Sequence, residues 1–232
     1  MNKHEKNCVC LDCEFRNVVL RYLDDAEIEE LCDHKHEQIY RKGEIICHQG
    51  EKITKFRYLK SGLVKLYRQH GQGEEQIIAI TRPFEFVTDL AIFEETSYRF
   101  SVSALEDSVI CAVDIEFMKE ILMRNGGFAT GLLSRMAGVN NRIITQCLEI
   151  RRRNLAGRVA LVLIYFSKEI YNNNQIFELP VSRKEISDYI GMSIANVIRT
   201  LSDFKKEDII KIEGKTIEIL DFKKLELISE RG

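Results

Sequence analysis

No stretch of the 232-residue chain approaches the run of about 18 apolar residues that a membrane-spanning helix needs. The opening Met-Asn-Lys-His-Glu-Lys lacks the apolar core of a secretory signal, so a cytoplasmic protein without a membrane partner is expected. The motifs of common catalysts are missing too. There is no Gly-x-Ser-x-Gly turn, no Gly-x-x-x-x-Gly-Lys phosphate loop and no His-Glu-x-x-His helix, and an enzyme is not expected. No internal repeat or low-complexity segment appears. Seven cysteines are an odd number, and a reducing compartment argues against a disulfide framework.

Hydrophobic residues make up 45% of the chain, enough to build cores for two modest domains. The net charge of −2 conceals a gradient. From Arg151 to Gly232 there are 15 Lys+Arg against 12 Asp+Glu; the preceding segment has 19 against 24. A basic C-terminal part on an acidic body fits nucleic-acid binding, although many folded domains carry as much positive charge.

Between Gln38 and Val113, short apolar runs alternate with glycine turns at Lys42-Gly43, Gln49-Gly50, Ser61-Gly62 and Gly71-Gln72-Gly73. Strands of four to six residues at this spacing predict an all-β roll or barrel. A helix is predicted before it over Asp24 to Cys32, with Ala26, Ile28 and Leu31 apolar. After Asp114, a fair N-cap with Glu116 in the first turn, the period changes. Leu132, Met136, Val139, Ile143, Gln146 and Ile150 follow heptad steps, which predicts a long helix with a narrow apolar seam. The seam packs either on its own roll or on a second subunit; flanking Arg135, Asn140, Asn141 and Arg142 keep it narrow and favour the second subunit. Arg151-Arg152-Arg153-Asn154 reads as a hinge, with Asn154 capping a helix from Leu155 to Ile170 that Asn172-Asn173-Asn174 ends.

The segment Val181 to Leu220 carries the strongest pattern. Ser182-Arg183-Lys184-Glu185 is a capping box, and Ile186, Tyr189 and Ile190 give the helix it opens an apolar face. Gly191 supplies a tight turn and Ser193 caps a second helix. There Ile194, Val197, Ile198, Leu201 and Phe204 are expected to face inward, with Asn196, Arg199, Ser202 and Asp203 outward. Ile209 to Ile212, Glu213-Gly214 and Thr216 to Ile219 form a hairpin. Two short helices and a hairpin make a winged helix-turn-helix, whose second helix enters the major groove of double-stranded DNA. Arg199 can pair with guanine O6 and N7 or with phosphate, and Asn196 with adenine N6 and N7. Ser182, Arg183 and Ser193 sit at helix N-termini, where phosphate is favoured. The alternative class is a ligand-binding β-roll acting through protein partners rather than DNA.

These parts, in this order, resemble the CRP/FNR family of bacterial transcription regulators. The likeness spans nearly the whole chain, including Pro83, the stretch Gly157-Arg158-Val159-Ala160 and the winged helix. Asn196-Val197-Ile198-Arg199-Thr200-Leu201 is similar to the branch found in anaerobic Bacteroidetes. The resemblance implies an α+β fold, in which a cyclic-nucleotide-binding-like double-stranded β-helix precedes a long dimerisation helix and the winged helix-turn-helix. It implies a cysteine-containing segment over 1–20, an effector domain over 21–114, a dimerisation helix and hinge over 115–152, and a DNA-binding domain over 153–232. It also implies a homodimer on an inverted-repeat operator, with RNA polymerase as a partner. Ala195 stands where the best-known members carry a glutamate, so the operator need not be the familiar one.

Two further features follow from the resemblance. Cys8-x-Cys10-x2-Cys13 looks like the N-terminal cluster ligands of the family's oxygen sensors, and Cys111 matches their fourth. Their third ligand would fall near Val19, however, and Cys8 would have to replace it. An iron–sulfur cluster, zinc or another redox role, and no metal at all stay open. Cys32, Cys47 and Cys147 read as core. In the effector pocket, Thr88, Asp89, Leu90 and Arg99 occupy the positions that hold cyclic AMP in relatives. Thr88 adds a Cβ where glycine admits the ligand, Asp89 is a methylene short, and Phe100 replaces a small hydroxyl residue, which argues against cyclic AMP. The five histidines are scattered and read as surface or structural residues, with haem ligation left open.

Overall fold

A computed structural model describes residues 10, 13, 15–18, 20–71, 73–87 and 96–232. Packing divides the chain into two compact units, Met1–Ile143 and Ile144–Gly232.

In the first unit, α1 (Phe15–Val18) and a 3-10 turn at Leu20–Tyr22 precede α2 (Asp25–Asp33). Helix α2 starts with a capping box. Asp24 accepts the Glu27 N–H at 2.8 Å, and the Glu27 carboxylate accepts the Asp24 N–H at 3.0 Å. Ile28 and Leu31 are buried, whereas Ala26 is exposed, so the apolar face is narrower than expected.

The strands are β1 (Lys35–Tyr40), β2 (Ile45–Cys47), β3 (Lys55–Ser61), β4 (Val64–His70), β5 (Glu74–Thr81), β6 (Ser101–Ala104) and β7 (Ser108–Asp114). They form two antiparallel sheets, ordered β1-β7-β3 and β2-β6-β4-β5. This is the predicted roll. Phe56, Leu59, Leu63, Leu105 and Ile110 are at most 2% exposed, and each contributes about 1.5–3 kcal/mol of burial. The turn glycines take the left-handed conformations that their positions demand, Gly62 at φ +94° among them.

Helix α3 (Ile115–Arg124) follows. Asp114 stands at its N-cap but makes no cap hydrogen bond. Its carboxylate pairs with the Lys55 ammonium instead, which holds it below the usual carboxylate range. The expected cap is thus replaced by a cross-strand ion pair.

Helix α4 (Gly126–Arg151) is the predicted long helix. Its seam differs from the one expected to face a second subunit. Leu132 and Met136 are each 2% exposed, belong to the core of the roll, and Ile143 packs partly against it. The exposed aliphatic residues are Leu133, Ile144 and Leu148, at 65%, 58% and 59%. Leu132 and Met136 thus pack on the chain's own roll, one of the two packings that the sequence left open.

The chain between β5 and residue 88 is tied to α4. Phe84 has φ +65°, a conformation costly for a bulky residue. Its carbonyl accepts from Arg135 Nη2 at 3.3 Å. Next to it, Glu85 is 1% exposed, and its carboxylate accepts from Arg82 Nε at 2.9 Å and Arg142 Nη2 at 2.6 Å.

In the second unit, Asn154 caps α5 (Leu155–Tyr165) by accepting the Gly157 N–H at 3.0 Å. A wider helical turn, Phe166–Ile170, continues it, and Asn172 and Asn173 end it at φ +51° and +64°. The arginine run is not a fully solvated hinge. Arg153 is 7% exposed; its guanidinium donates to the Ser229 carbonyl at 2.7 Å and to Glu149 Oε2 at 2.5 Å. Strand β8 (Ile176–Glu178), α6 (Arg183–Ile190), α7 (Ile194–Lys206), β9 (Ile210–Glu213), β10 (Thr216–Ile219) and α8 (Phe222–Arg231) complete the unit. The wing sheet runs β8-β10-β9. Strand β8 and α8, which packs on α5, are additions to the sequence reading.

Candidate nucleic-acid interface

Each helix of the helix-turn-helix begins at a serine. Ser182 Oγ accepts the Glu185 N–H at 3.1 Å, and the Glu185 carboxylate accepts the Ser182 N–H at 2.8 Å. Ser193 Oγ accepts the Asn196 N–H at 3.2 Å. Between the helices Gly191 is left-handed at φ +64°, the conformation that stops α6 and turns the chain. Ser182 and Ser193 are exposed. Each hydroxyl uses a lone pair for its cap and keeps its proton to donate to an anion. Arg183 is half-buried, and burial lowers its pKa from the usual guanidinium value.

Helix α7 divides sharply by face. Val197, Thr200, Leu201 and Phe204 are buried at 0%, 8%, 2% and 4% exposure, spaced to form one stripe. Arg199, Ser202 and Asp203 are exposed, as predicted, and Asn196 is half-buried. Arg199 Nη2 donates to Asn196 Oδ1 at 3.1 Å. That bond aligns the guanidinium fork along the exposed face while leaving its other donors unused by the pair. Ile194 and Ile198 depart from expectation: they are 39% and 53% exposed. Helical geometry explains the difference: at about 100° per residue, Ile194 and Ile198 lie on the flank of the stripe formed by Val197, Thr200, Leu201 and Phe204, not at its centre. Thr200 takes the inward place instead.

The effector positions are less complete. Thr88, Asp89 and Leu90 lie outside the described residues, and Arg99 is exposed. The guanidinium inside the roll at this point is that of Arg57, 8% exposed, which donates to Tyr98 Oη. Tyr98 Oη in turn donates to the Lys55 carbonyl at 3.0 Å, and burial pushes its phenol up to about 12. Sequence reasoning missed this pair; an arginine inside an apolar run was the available signal.

Among the cysteines, Cys8 lies outside the described residues. Cys10 and Cys111 are both 0% exposed and Cys13 is 8% exposed. Burial pushes the Cys10 and Cys111 thiols up to about 12. The Cys111 thiol donates to Glu37 Oε1 at 3.5 Å. Cys32, read as core, is only half-buried and accepts the Cys10 N–H at 3.4 Å. Cys147 is likewise half-buried, and Cys47 is buried as expected. Among the described residues, no three His, Cys, Asp or Glu side chains gather to hold a metal ion.

A β-roll, a long helix and a winged helix-turn-helix with a polar outer face together define a DNA-binding transcription regulator. Residues 37–125 match the cyclic nucleotide-binding domain, and residues 157–228 the Crp-like helix-turn-helix domain. The transcriptional activator protein Anr of Pseudomonas protegens is 27% identical over 218 residues, covering 91% of this chain and 88% of that protein. The fumarate and nitrate reduction regulatory protein of Vibrio cholerae is 24% identical over 221 residues, covering 93% and 88%. The structure of FixK2 from Bradyrhizobium japonicum shares the fold, with a TM-score of 0.72 at 23% identity, covering 84% of this chain and 96% of that one. A regulator from Eubacterium rectale does so at 0.74 and 21%, covering 91% and 97%. The chain belongs to the CRP/FNR family. No described helix is long and apolar enough to cross a membrane.

Proposed function

We propose that the protein acts as a homodimer on double-stranded DNA, reading an inverted repeat through Arg199, Asn196 and the serine-capped N-termini of α6 and α7. The observation that carries this reading is the face of α7. Its buried stripe is satisfied inside the unit, while the Arg199–Asn196 pair is exposed at the end that enters a major groove. Ser182, Arg183 and Ser193 supply phosphate contacts that set register. Two copies pair along α4 through Leu133, Ile144 and Leu148, which are too exposed for a lone helix at this spacing. Half-sites then lie about one helical turn, about 34 Å, apart.

Control enters through the roll, by a small molecule or a redox signal. The flanks of the effector segment are anchored on both sides, by Glu85 to Arg142 of α4 and by Tyr98 to Arg57 of β3. A ligand that rearranges the segment would pull on α4 and so bias the spacing of the two DNA-binding units. Anr is named a transcriptional activator; by that likeness the protein acts positively, with RNA polymerase as its partner. Sedimentation at micromolar concentration tests the assembly. A dimer that Leu148→Asp converts to monomer supports it; a monomeric wild type refutes it.

A further inference from the structure

Ile194 and Ile198 lie four residues apart, one helical turn, on the exposed side of α7. Ile194 is 39% and Ile198 53% exposed. Ala195, beside them, is exposed as well. Arg199, next in sequence to Ile198, is exposed too. The core stripe of α7 is filled by Val197, Leu201 and Phe204, and the isoleucine pair leaves a large part of its aliphatic surface in water.

The major groove offers such side chains a single kind of partner. Guanine shows O6 and N7, adenine N6 and N7, cytosine N4; only thymine adds an apolar group, its C5-methyl. An isoleucine pressed against a polar edge strips water from it and returns no hydrogen bond, a net loss. Against a thymine methyl the same side chain buries apolar surface on both partners. Ala195 reinforces the choice. It lies on the exposed surface between Ile198 and Arg199, and its side chain neither donates nor accepts a hydrogen bond.

We infer that Ile194 and Ile198 are specificity-determining residues that select thymine by its C5-methyl group, next to the base pair read by Arg199. The inference rests on the proposed DNA reading and sharpens it: each half-site pairs the bases read through hydrogen bonds by Arg199 and Asn196 with one or two read through methyl contact. Ile198, the more exposed of the pair and adjacent to Arg199, carries the stronger preference.

The test uses the full-length protein and duplexes enriched by it from a randomised library. At each thymine of the half-sites, deoxyuridine replaces the base, which deletes the methyl alone. Wild-type affinity should fall about fourfold per half-site, the worth of one methyl returned to water, and about fifteenfold when both half-sites are changed. In Ile198→Ala that penalty should shrink toward onefold, whereas Ser202→Ala should retain it. Both positions are exposed, so the variants should keep the wild-type circular dichroism. Equal binding of thymine and uracil duplexes at every half-site position would overturn the inference and leave the DNA reading standing. So would a penalty that persists in both Ile194→Ala and Ile198→Ala. A protein that enriches no duplex at all would defeat the DNA reading, and this inference with it.

Discussion

The Arg142→Ala substitution isolates the link between the roll and α4. Glu85 has a side-chain exposure of 2%, Arg142 of 28% and Arg82 of 34%. Removing Arg142 leaves a carboxylate almost wholly out of water with one guanidinium instead of two. Breaking a fully buried ion pair costs about 3–5 kcal/mol. Here Arg82 remains and Arg142 is more than a quarter exposed, so the loss should be about 2–3 kcal/mol. Glu85→Gln keeps one acceptor oxygen, sets an amide N–H donor against the other guanidinium and loses the charge, and should cost about 1–3 kcal/mol. The double variant should show a coupling of about 1 kcal/mol, because the two residues touch. Urea unfolding at pH 7, followed by circular dichroism with the slope checked for constancy, gives all three values. An Arg142→Ala loss below about 0.5 kcal/mol, the size of an ordinary surface change, would refute the claim that this contact anchors the segment.

Gly62→Ala would place a Cβ 2.3 Å from Ser108 Oγ and 2.7 Å from the Asp107 carbonyl, at φ +94°. Strain and overpacking together should cost about 2–4 kcal/mol, seen as a drop in melting temperature; an unchanged midpoint would contradict this. The buried Cys10 and Cys111 thiols should resist iodoacetamide at pH 7.5 and label rapidly once urea unfolds the chain, as mass spectrometry of quenched samples would show. Their pKa values are raised on folding to about 12, so the folded state holds these protons more tightly. Their contribution is intact below the ordinary thiol value of about 8.5 and is lost as pH rises from there toward about 12; stability that rises across that range would contradict the assignment. Cyclic AMP should show no binding tighter than about 1 mM by titration calorimetry, about −4 kcal/mol. A micromolar constant lost in Arg99→Ala would show that Thr88 and Asp89 are no obstacle.

Much of the fold is legible because its signals are local. Gly43, Gly50 and Gly62 mark turns by the backbone they require, and Ser182 with Glu185 announces α6 by a reciprocal hydrogen bond. Residues whose role depends on distant partners are not legible in this way. Arg153 sits in a run of three arginines, yet Ser229, 76 residues on, takes it out of water. Asp114 looks like a cap, but Lys55 on a neighbouring strand claims its carboxylate. Leu132 and Met136 pack into the roll, a choice between roll and second subunit that no heptad count makes. Helix α8 did leave a trace, with Asp221 as N-cap and Phe222, Leu225 and Ile228 spaced by three. On α7 the period correctly separates Arg199 from Val197, but it cannot decide which side Ile194 and Ile198 take, since both flank the boundary.

The measurement closest to the central claim is a binding titration with a library-enriched duplex and its scrambled counterpart at one fixed salt concentration. The account predicts a dissociation constant of about 10⁻⁸ M or tighter, at least about a thousandfold preference over scrambled DNA, and two-fold symmetry in the enriched sequence. It also predicts that Arg199→Ala loses about 1–3 kcal/mol of discrimination at one base pair per half-site. Equal affinity of the wild type for both duplexes, or discrimination untouched by Arg199→Ala, would contradict it.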